Sequence, residues 1–207
     1  MPPPKKTGLL FGSFNPIHSG HLMIASYMAG FTDLDQVWFV VSPHNPLKEK
    51  STLLADNHRL FMVNLAIEED SRFKSSNIEF KLPRPSYTID TLTYLGEKYP
   101  AKEFVLIAGA DIFTTFHKWK NFEELLKQYR FYIYPRLNTV KSRFDGHPSF
   151  IPVEAPLISI SSSFIRQSVM DGRDMRYFLP EKVWKYVQEM NFYRGPSRKI
   201  TISLKTG

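Results

Sequence analysis

The feature that most constrains the fold is a regular alternation of short apolar runs with segments of helical periodicity. Residues 36–41 (QVWFVV) and 103–108 (EFVLIA) are apolar with little alternation, which is typical of strands buried on both faces. Strands that alternate with helices form βαβ units. The pattern therefore predicts an α/β fold, a single Rossmann-like, doubly wound parallel sheet with helices on both faces.

The remaining elements follow from the same patterns and from capping signals. We predict further strands at residues 7–11, 77–81, 131–134 and 149–153. We predict helices at residues 19–30, 56–69, 88–98 and 180–190, and one more that begins near residue 162, with Asp56 as one N-cap and Ser86 or Thr88 as another.

Length and composition limit the class of protein. The chain has 207 residues, 43% of them hydrophobic, which suits one well-buried domain. We expect a single domain over residues 1–207, flexible at 1–6 and with a tail at 192–207 whose structure the sequence does not predict. The sequence shows no membrane-length apolar run and no signal-peptide core, which favours a cytoplasmic protein with no membrane partner. It has no cysteine, which excludes disulfides and thiolate catalysis.

The net charge of +7 has two interpretations. It can reflect a scattered basic surface, or a partner that carries phosphates. Lys and Arg are spread along the chain without a basic run that aromatics interrupt, so we expect no nucleic-acid partner.

Ligands of such sheets bind beyond the carboxyl ends of the strands. After the first predicted strand, Gly12 permits a tight turn, and His18 and His21 follow at a predicted helix start. Free backbone N–H groups and the helix dipole favour an anion there, and both imidazoles can donate to phosphate oxygens. The alternative, a metal site, lacks a third ligand nearby in sequence, so we expect no metal held by the protein.

Later loops carry similar groups. Lys48 lies in a basic loop that can clamp phosphates. Asp111, after Gly109, can accept hydrogen bonds from a ribose or act as an N-cap. Ser161, Ser162 and Arg166 form a phosphate cradle, since ordinary capping needs only one serine.

A further segment places hydroxyl groups at another predicted helix start. Capping by Ser86 or Thr88 explains this segment, which also contains Tyr87, as well as ligand binding does. Trp119 can stack on a planar ring, although core packing alone would be the better explanation.

Together these motifs resemble the nucleotidyltransferase superfamily. HSGH at 18–21 is similar to its H-x-G-H signature, and ISSSFIR at 160–166 is similar to I-S-S-x-x-x-R. Bacterial nicotinate-nucleotide adenylyltransferases carry segments similar to GSFNPIHSGH, PSYTIDTL and GAD…F…W in the same order. This closer resemblance extends to about residue 190.

The resemblance implies a function and a set of roles. ATP would give its adenylyl group to nicotinate mononucleotide, with Mg²⁺ accompanying ATP, by direct in-line attack in NAD biosynthesis. The sequence is compatible with a homo-oligomer but does not indicate the oligomeric state. The implied catalytic residues are His18, His21 and Arg166. ATP would be bound by these three and by Gly12, Ser13, Phe14, Lys48, Gly109, Asp111, Ser161 and Ser162. The acceptor would be bound by Asn15, Ser86, Tyr87, Thr88 and Trp119.

Two departures from that family's pattern lie in the phosphate-side loops. Leu47 stands where many members have a histidine, although the following Lys48 matches. Ser13 replaces a second glycine, and it is small enough that we expect little change.

Three other functions remain open. A sister transferase would act on nicotinamide mononucleotide or phosphopantetheine, although pantetheine enzymes lack a PSYTIDTL-like segment. A ligase that activates carboxylates would need a K-M-S-K-S-like loop, which this sequence lacks. A non-catalytic nucleotide or nucleic-acid binder would bind without releasing pyrophosphate.

Overall fold

A six-stranded sheet forms the centre of the computed structural model, which describes residues 5–43, 53–137 and 142–195. The strands are β1 Lys5–Gly12, β2 Gln36–Val41, β3 Phe73–Ser76, β4 Lys102–Gly109, β5 Arg130–Tyr134 and β6 Phe150–Pro152. They lie in the order β3-β2-β1-β4-β5-β6, and every neighbouring pair is parallel. The predicted doubly wound parallel sheet is confirmed.

Six α-helices cover the two faces of this sheet in the described residues. They are α1 Ser19–Phe31, α2 Asp56–Ile67, α3 Thr88–Lys98, α4 Phe122–Gln128, α5 Ser162–Met170 and α6 Glu181–Glu189. Buried residues of α1, α2, α5 and α6 form one apolar core, and those of α3 and α4 form the other. Adjacent strand residues such as Leu9 and Leu10 point into opposite cores, as the period of two requires.

Two sequence predictions are wrong in detail. Residues 77–81 were expected to be a strand, but the strand is β3, and Ile78–Lys81 is a 3₁₀ helix. Pairing with β2 ends at Ser76, so the chain leaves the sheet there, and Ile78 and Glu79 are both buried in the 3₁₀ turn that follows. Asp56 is not an N-cap, because α2 starts at Asp56 itself with Ala55 before it.

The start of the chain also differs from expectation. β1 begins two residues before the predicted segment, so Lys5 and Lys6 belong to the sheet rather than to a flexible start. Lys6 is held by Asp33 and Asp35, which lie between α1 and β2.

The position of the site follows from the strand order. The chain moves from β1 outward to β2 and β3, then crosses to β4 and continues in the other direction. The loops that leave β1 and β4 therefore diverge and open a crevice at this switch point. Gly12 and Gly109 are the last residues of these two neighbouring strands.

Among the helices that the structure describes, none has both the length and the apolar character needed to cross a membrane.

The aromatic cluster under α4 gives a stability prediction. The Phe116 ring is fully buried and meets the edges of Phe131, Phe144 and Phe150 at 5.2–5.3 Å between centroids. We expect Phe116→Ala to lower the free energy of unfolding by about 3–5 kcal/mol, because the cavity cannot refill. Phe31→Ala, at a 76% exposed ring, should cost about 0.5 kcal/mol or less. Urea unfolding of both variants measures the difference, and equal losses would contradict it.

Candidate active site

The loop between β1 and α1 is shaped by side chains from distant parts of the chain. Its carbonyl oxygens accept hydrogen bonds from Arg59 Nη1 at Ser13 (2.6 Å), from Arg166 Nη1 at Asn15 (2.9 Å) and from Ser162 Oγ at Pro16 (2.9 Å). Such bonds satisfy a main chain that neither helix nor sheet can satisfy. The predicted cradle residues Ser162 and Arg166 therefore meet the histidine loop directly.

The two predicted histidines lie against each other at the start of α1. Their rings stack with centroids 3.7 Å apart. The backbone N–H of His18 donates to Nδ1 of His21 at 3.2 Å. Since Nδ1 accepts, the proton of the neutral His21 ring is on Nε2, where it can be donated to a ligand oxygen.

His18 is held neutral. It is 4% exposed, and burial, reinforced by the charge of Arg136, lowers its pKa from 6.5 to about 4. Its Nδ1 is buried without a hydrogen-bond partner among the described residues. Such an unsatisfied group is costly without a ligand, so its presence marks a candidate binding position.

Arg136 completes this cleft and was not identified from the sequence. The cleft is lined by His18, Gly20, His21, Tyr134 and Arg136 together with apolar side chains. The guanidinium donates to Tyr134 Oη at 3.0 Å and to the Ile158 carbonyl at 3.2 Å, while its Nε is buried with no hydrogen bond in the described chain. The cleft thus carries the positive charge of Arg136 beside two imidazole rings, which suits an anion.

The end of β4 leaves no room for a side chain. A Cβ at Gly109 would lie 2.4 Å from Asp111 Oδ1 and 2.8 Å from Arg136 Nε. The Asp111 side chain is 74% exposed and lies 3.7 Å from Arg136 Nε. Asp111 belongs to a 3₁₀ helix, Ala110–Thr114, whose N-cap is Gly109, so the alternative N-cap role for Asp111 is wrong.

Each serine of the ISSS run has a partner in the protein. Ser161 caps α5 by accepting from the Phe164 N–H at 3.2 Å, and Ser162 binds Pro16. Ser163 accepts from Arg166 Nη2 at 3.2 Å. Arg166 is half-buried, so part of its guanidinium remains accessible to a ligand.

The predicted acceptor residues also converge. Lys120 pairs with Asp90 at 2.8 Å and lies 4.8 Å from the centre of the Tyr87 ring. These contacts tie the first turn of α3, which starts at Thr88, to Lys120, the residue that follows Trp119. Trp119 is half-buried against Phe116, with centroids 5.4 Å apart.

Glu79 supports this side of the site. It is buried, and burial raises its pKa, while hydrogen bonds from the side chains of Ser42, Thr91 and Ser86 oppose that shift. The Thr91 hydroxyl donates to it at 2.9 Å. Glu79 thereby ties the Ser86 segment to the end of β2.

The other predicted residues occupy distinct positions. Phe14 is buried against Phe39 and the edge of His21, which leaves its main chain to meet a ligand. Asn15 Oδ1 accepts from the Leu54 N–H at 3.2 Å and from Tyr193 Oη at 2.8 Å. Lys48, with Leu47, lies outside the described residues.

Sequence reasoning missed Arg59, Glu79, Arg136 and Tyr193. A signal existed for Arg59, which lies on the same helical face as Met62 and Val63, at spacings of three and four. A charge in an apolar stripe indicates a buried polar network.

In the part of the chain that the structure describes, no group of three His, Asp or Glu side chains could hold a metal ion.

Comparisons with known proteins agree with this geometry. The cytidylyltransferase-like family model matches residues 9–168. A protein of Flavobacterium psychrophilum named a probable nicotinate-nucleotide adenylyltransferase is 52% identical over 191 residues, 91% of this chain and 99% of that protein. A protein of the same name from Bacteroides thetaiotaomicron is 48% identical over 89% of this chain and 91% of that protein.

A solved structure shares the fold. It is the Plasmodium falciparum nicotinic acid mononucleotide adenylyltransferase complexed with NaAD, with a TM-score of 0.77, 21% identity and coverage of 91% of this chain and 97% of that chain.

The depressed pKa of His18 predicts a pH dependence of stability. As the pH falls from about 6.5 to about 4, the unfolded chain binds a proton at this position and the folded chain does not. Protonation at His18 should therefore lower the free energy of unfolding by roughly 3 kcal/mol across that window, with no further loss at lower pH. Urea unfolding over this window should show the extra slope in the wild type and not in His18→Asn. An NMR midpoint for the His18 ring close to its ordinary value would contradict the argument.

Proposed function

Because the chain belongs to the cytidylyltransferase-like family and, within it, to the nicotinate-nucleotide adenylyltransferases, we propose that it transfers the adenylyl group of ATP to nicotinate mononucleotide. The products are nicotinate adenine dinucleotide and pyrophosphate, which places the reaction in NAD biosynthesis.

One observation carries the proposal at the level of the site. The two motifs that lie far apart in sequence meet in space, with Ser162 and Arg166 bonded to the loop that precedes His18 and His21. These groups are donors or cations, which is what the triphosphate of ATP needs. No protein nucleophile is required, because the acceptor phosphate is already an anion.

The ATP half of the site is assigned to the β1 and β4 ends. Gly12 and Gly109 permit close backbone approach, and Asp111 is exposed at the position where a ribose hydroxyl can donate to it. Ser161, Ser162, Arg166 and Lys48 are assigned to the β- and γ-phosphates.

The acceptor half is assigned to the start of α3 and to Trp119. The nicotinate ring stacks on Trp119, and the N–H groups of the first turn near Thr88 meet its carboxylate. Asn15 and the hydroxyls of Ser86 and Tyr87 are also assigned to the acceptor. The contacts of Lys120 with Tyr87 and Asp90 support this pairing of segments.

In the reaction, an acceptor phosphate oxygen attacks the α-phosphorus of ATP. The new P–O bond forms as the bond from the α-phosphorus to the bridging oxygen breaks, and pyrophosphate takes that electron pair. His21 donates its Nε2 proton in a hydrogen bond to an α-phosphate oxygen, and Arg166 stabilises charge on the leaving group. Positioning and charge neutralisation account for the catalysis.

Mg²⁺ is proposed to accompany ATP. The described residues offer no cluster of protein ligands, which fits an ion held by phosphate oxygens and water. When bound, the ion neutralises phosphate charge.

The first test is pyrophosphate release from ATP and Mg²⁺ with each acceptor. We expect strong preference for nicotinate over nicotinamide mononucleotide, because helix N–H donors favour a carboxylate over an amide. Release with nicotinamide mononucleotide alone would overturn the acceptor assignment. Release with neither would overturn the proposed function.

His21→Ala tests the phosphate assignment. Loss of a donor aimed at the developing charge should lower kcat on the order of a hundredfold. His147→Ala, just before the edge strand β6, is the matched control and should stay near the wild-type rate. Near wild-type turnover by His21→Ala would refute the assignment.

Trp119→Ala tests the stacking role. The KM for nicotinate mononucleotide should rise about five- to tenfold, because a ring–ring contact is lost. Trp119→Phe should keep most of that contact. The KM for ATP serves as internal reference and should change little. An unchanged acceptor KM would rule out stacking.

A further inference from the structure

Arg59 is a buried cation in which every donor is used. Its side chain is fully buried, on the inner face of α2. The guanidinium has five N–H donors, and five hydrogen bonds are formed. They reach the carbonyl oxygens of Leu54 (3.0 Å), Ser13 (2.6 Å), Ser42 (2.7 Å) and Pro43 (2.8 Å), and Asp56 Oδ1 (2.6 Å).

The five acceptors belong to three short segments, two at strand ends and one at the start of α2. Ser13 follows β1, Ser42 and Pro43 follow β2, and Leu54 and Asp56 introduce α2. We propose that Arg59 is a positioning residue, which holds the loop after β1 and the chain after β2 in the arrangement that adenylyl transfer requires. The inference rests on the proposed function of this site.

The bond to Ser13 holds the histidine loop from α2, in addition to the bonds that α5 makes to it. Arg166 and Ser162 hold the carbonyls of Asn15 and Pro16, and Arg59 holds the carbonyl of Ser13. The Ser42 N–H also donates to the Gly12 carbonyl at 2.9 Å. Displacement of Arg59 would therefore shift both the β1 end and the β2 end.

The geometry requires a guanidinium and not merely a positive charge. A lysine at the same position has three donors on one atom, so at least two of the five acceptors would lose their bond. Asp56 balances the buried charge and also accepts from Arg84 at 2.9 Å, two residues before Ser86. The Asp56 carboxylate thus contacts Arg59, which supports the ATP side, and Arg84, which lies in the segment that leads to the acceptor side.

Arg59→Lys tests the proposal, with Arg72→Lys as the matched control. Arg72 also pairs with an aspartate, Asp70 at 2.7 Å, but on the surface beside β3. Both variants are assayed at a temperature where circular dichroism shows them fully folded. We expect the kcat of Arg59→Lys to fall about ten- to a hundredfold, because small misplacements of reacting groups have effects of this size. The kcat of Arg72→Lys should be unchanged. A purely structural role would lower the melting temperature and leave kcat unchanged, and that result would overturn the proposal.

Asp56→Asn covers the case in which Arg59→Lys does not fold. The amide keeps an acceptor oxygen but removes the counter-charge, so kcat should fall in the same direction by about three- to tenfold. A folded Asp56→Asn variant with wild-type kcat would overturn the proposal.

Hydrogen exchange separates this inference from the proposed reaction. In Arg59→Lys, exchange should accelerate in peptides that cover residues 12–18 and 42–43 and stay unchanged in the β4 interior. That pattern supports Arg59 as the positioning residue even if the wild type transfers no adenylyl group. Unchanged exchange at 12–18 overturns it even if the wild type is active.

Discussion

The parallel pairing of β1 with β4 is the interaction on which the rest of the structure depends. Leu9 pairs with Leu106 and Leu10 with Ile107, so the two strands end side by side. Their connections then leave toward opposite edges of the sheet, and the crevice between them is where a ligand can reach main-chain N–H groups. Any change that separated these strands would move the histidine loop away from Arg136 and Asp111 at once.

A second constraint is the satisfaction of main-chain carbonyls in the loop after β1. Buried carbonyls need donors, and here the donors are side chains of α2 and α5. Ser42 is a junction in this system, because its carbonyl accepts from Arg59 and its side chain bonds to Glu79. The buried side chains of Arg59 and Glu79 thus hold the two sides of the site. A site held this way is preorganised, so little reorganisation is needed when charge develops during the reaction.

The sequence predicted the fold well because its strongest signals are local. Apolar runs gave most strands and helices within a few residues, although not α4, and the parallel order follows from their alternation. The strand predicted at residues 77–81 was wrong because their pattern, NIEFK, has strand-like alternation while the buried Glu79 has its partners far away in sequence. The flexible start was wrong at Lys5 and Lys6 because pairing with β4, a long-range contact, orders them.

The sequence by itself determined which chemical groups the candidate site contains, since it specifies His18, His21 and Arg166 as hydrogen-bond donors. It also indicated where those groups lie, because strand ends converge in a parallel sheet. Only the tertiary structure decided the roles of Arg59 and Arg136, since a charged residue in a helix or loop has no local sign of which carbonyls it will meet. It likewise decided the protonation of His18, because a pKa depends on burial and on charges brought near by folding, and neither quantity is a property of the sequence pattern.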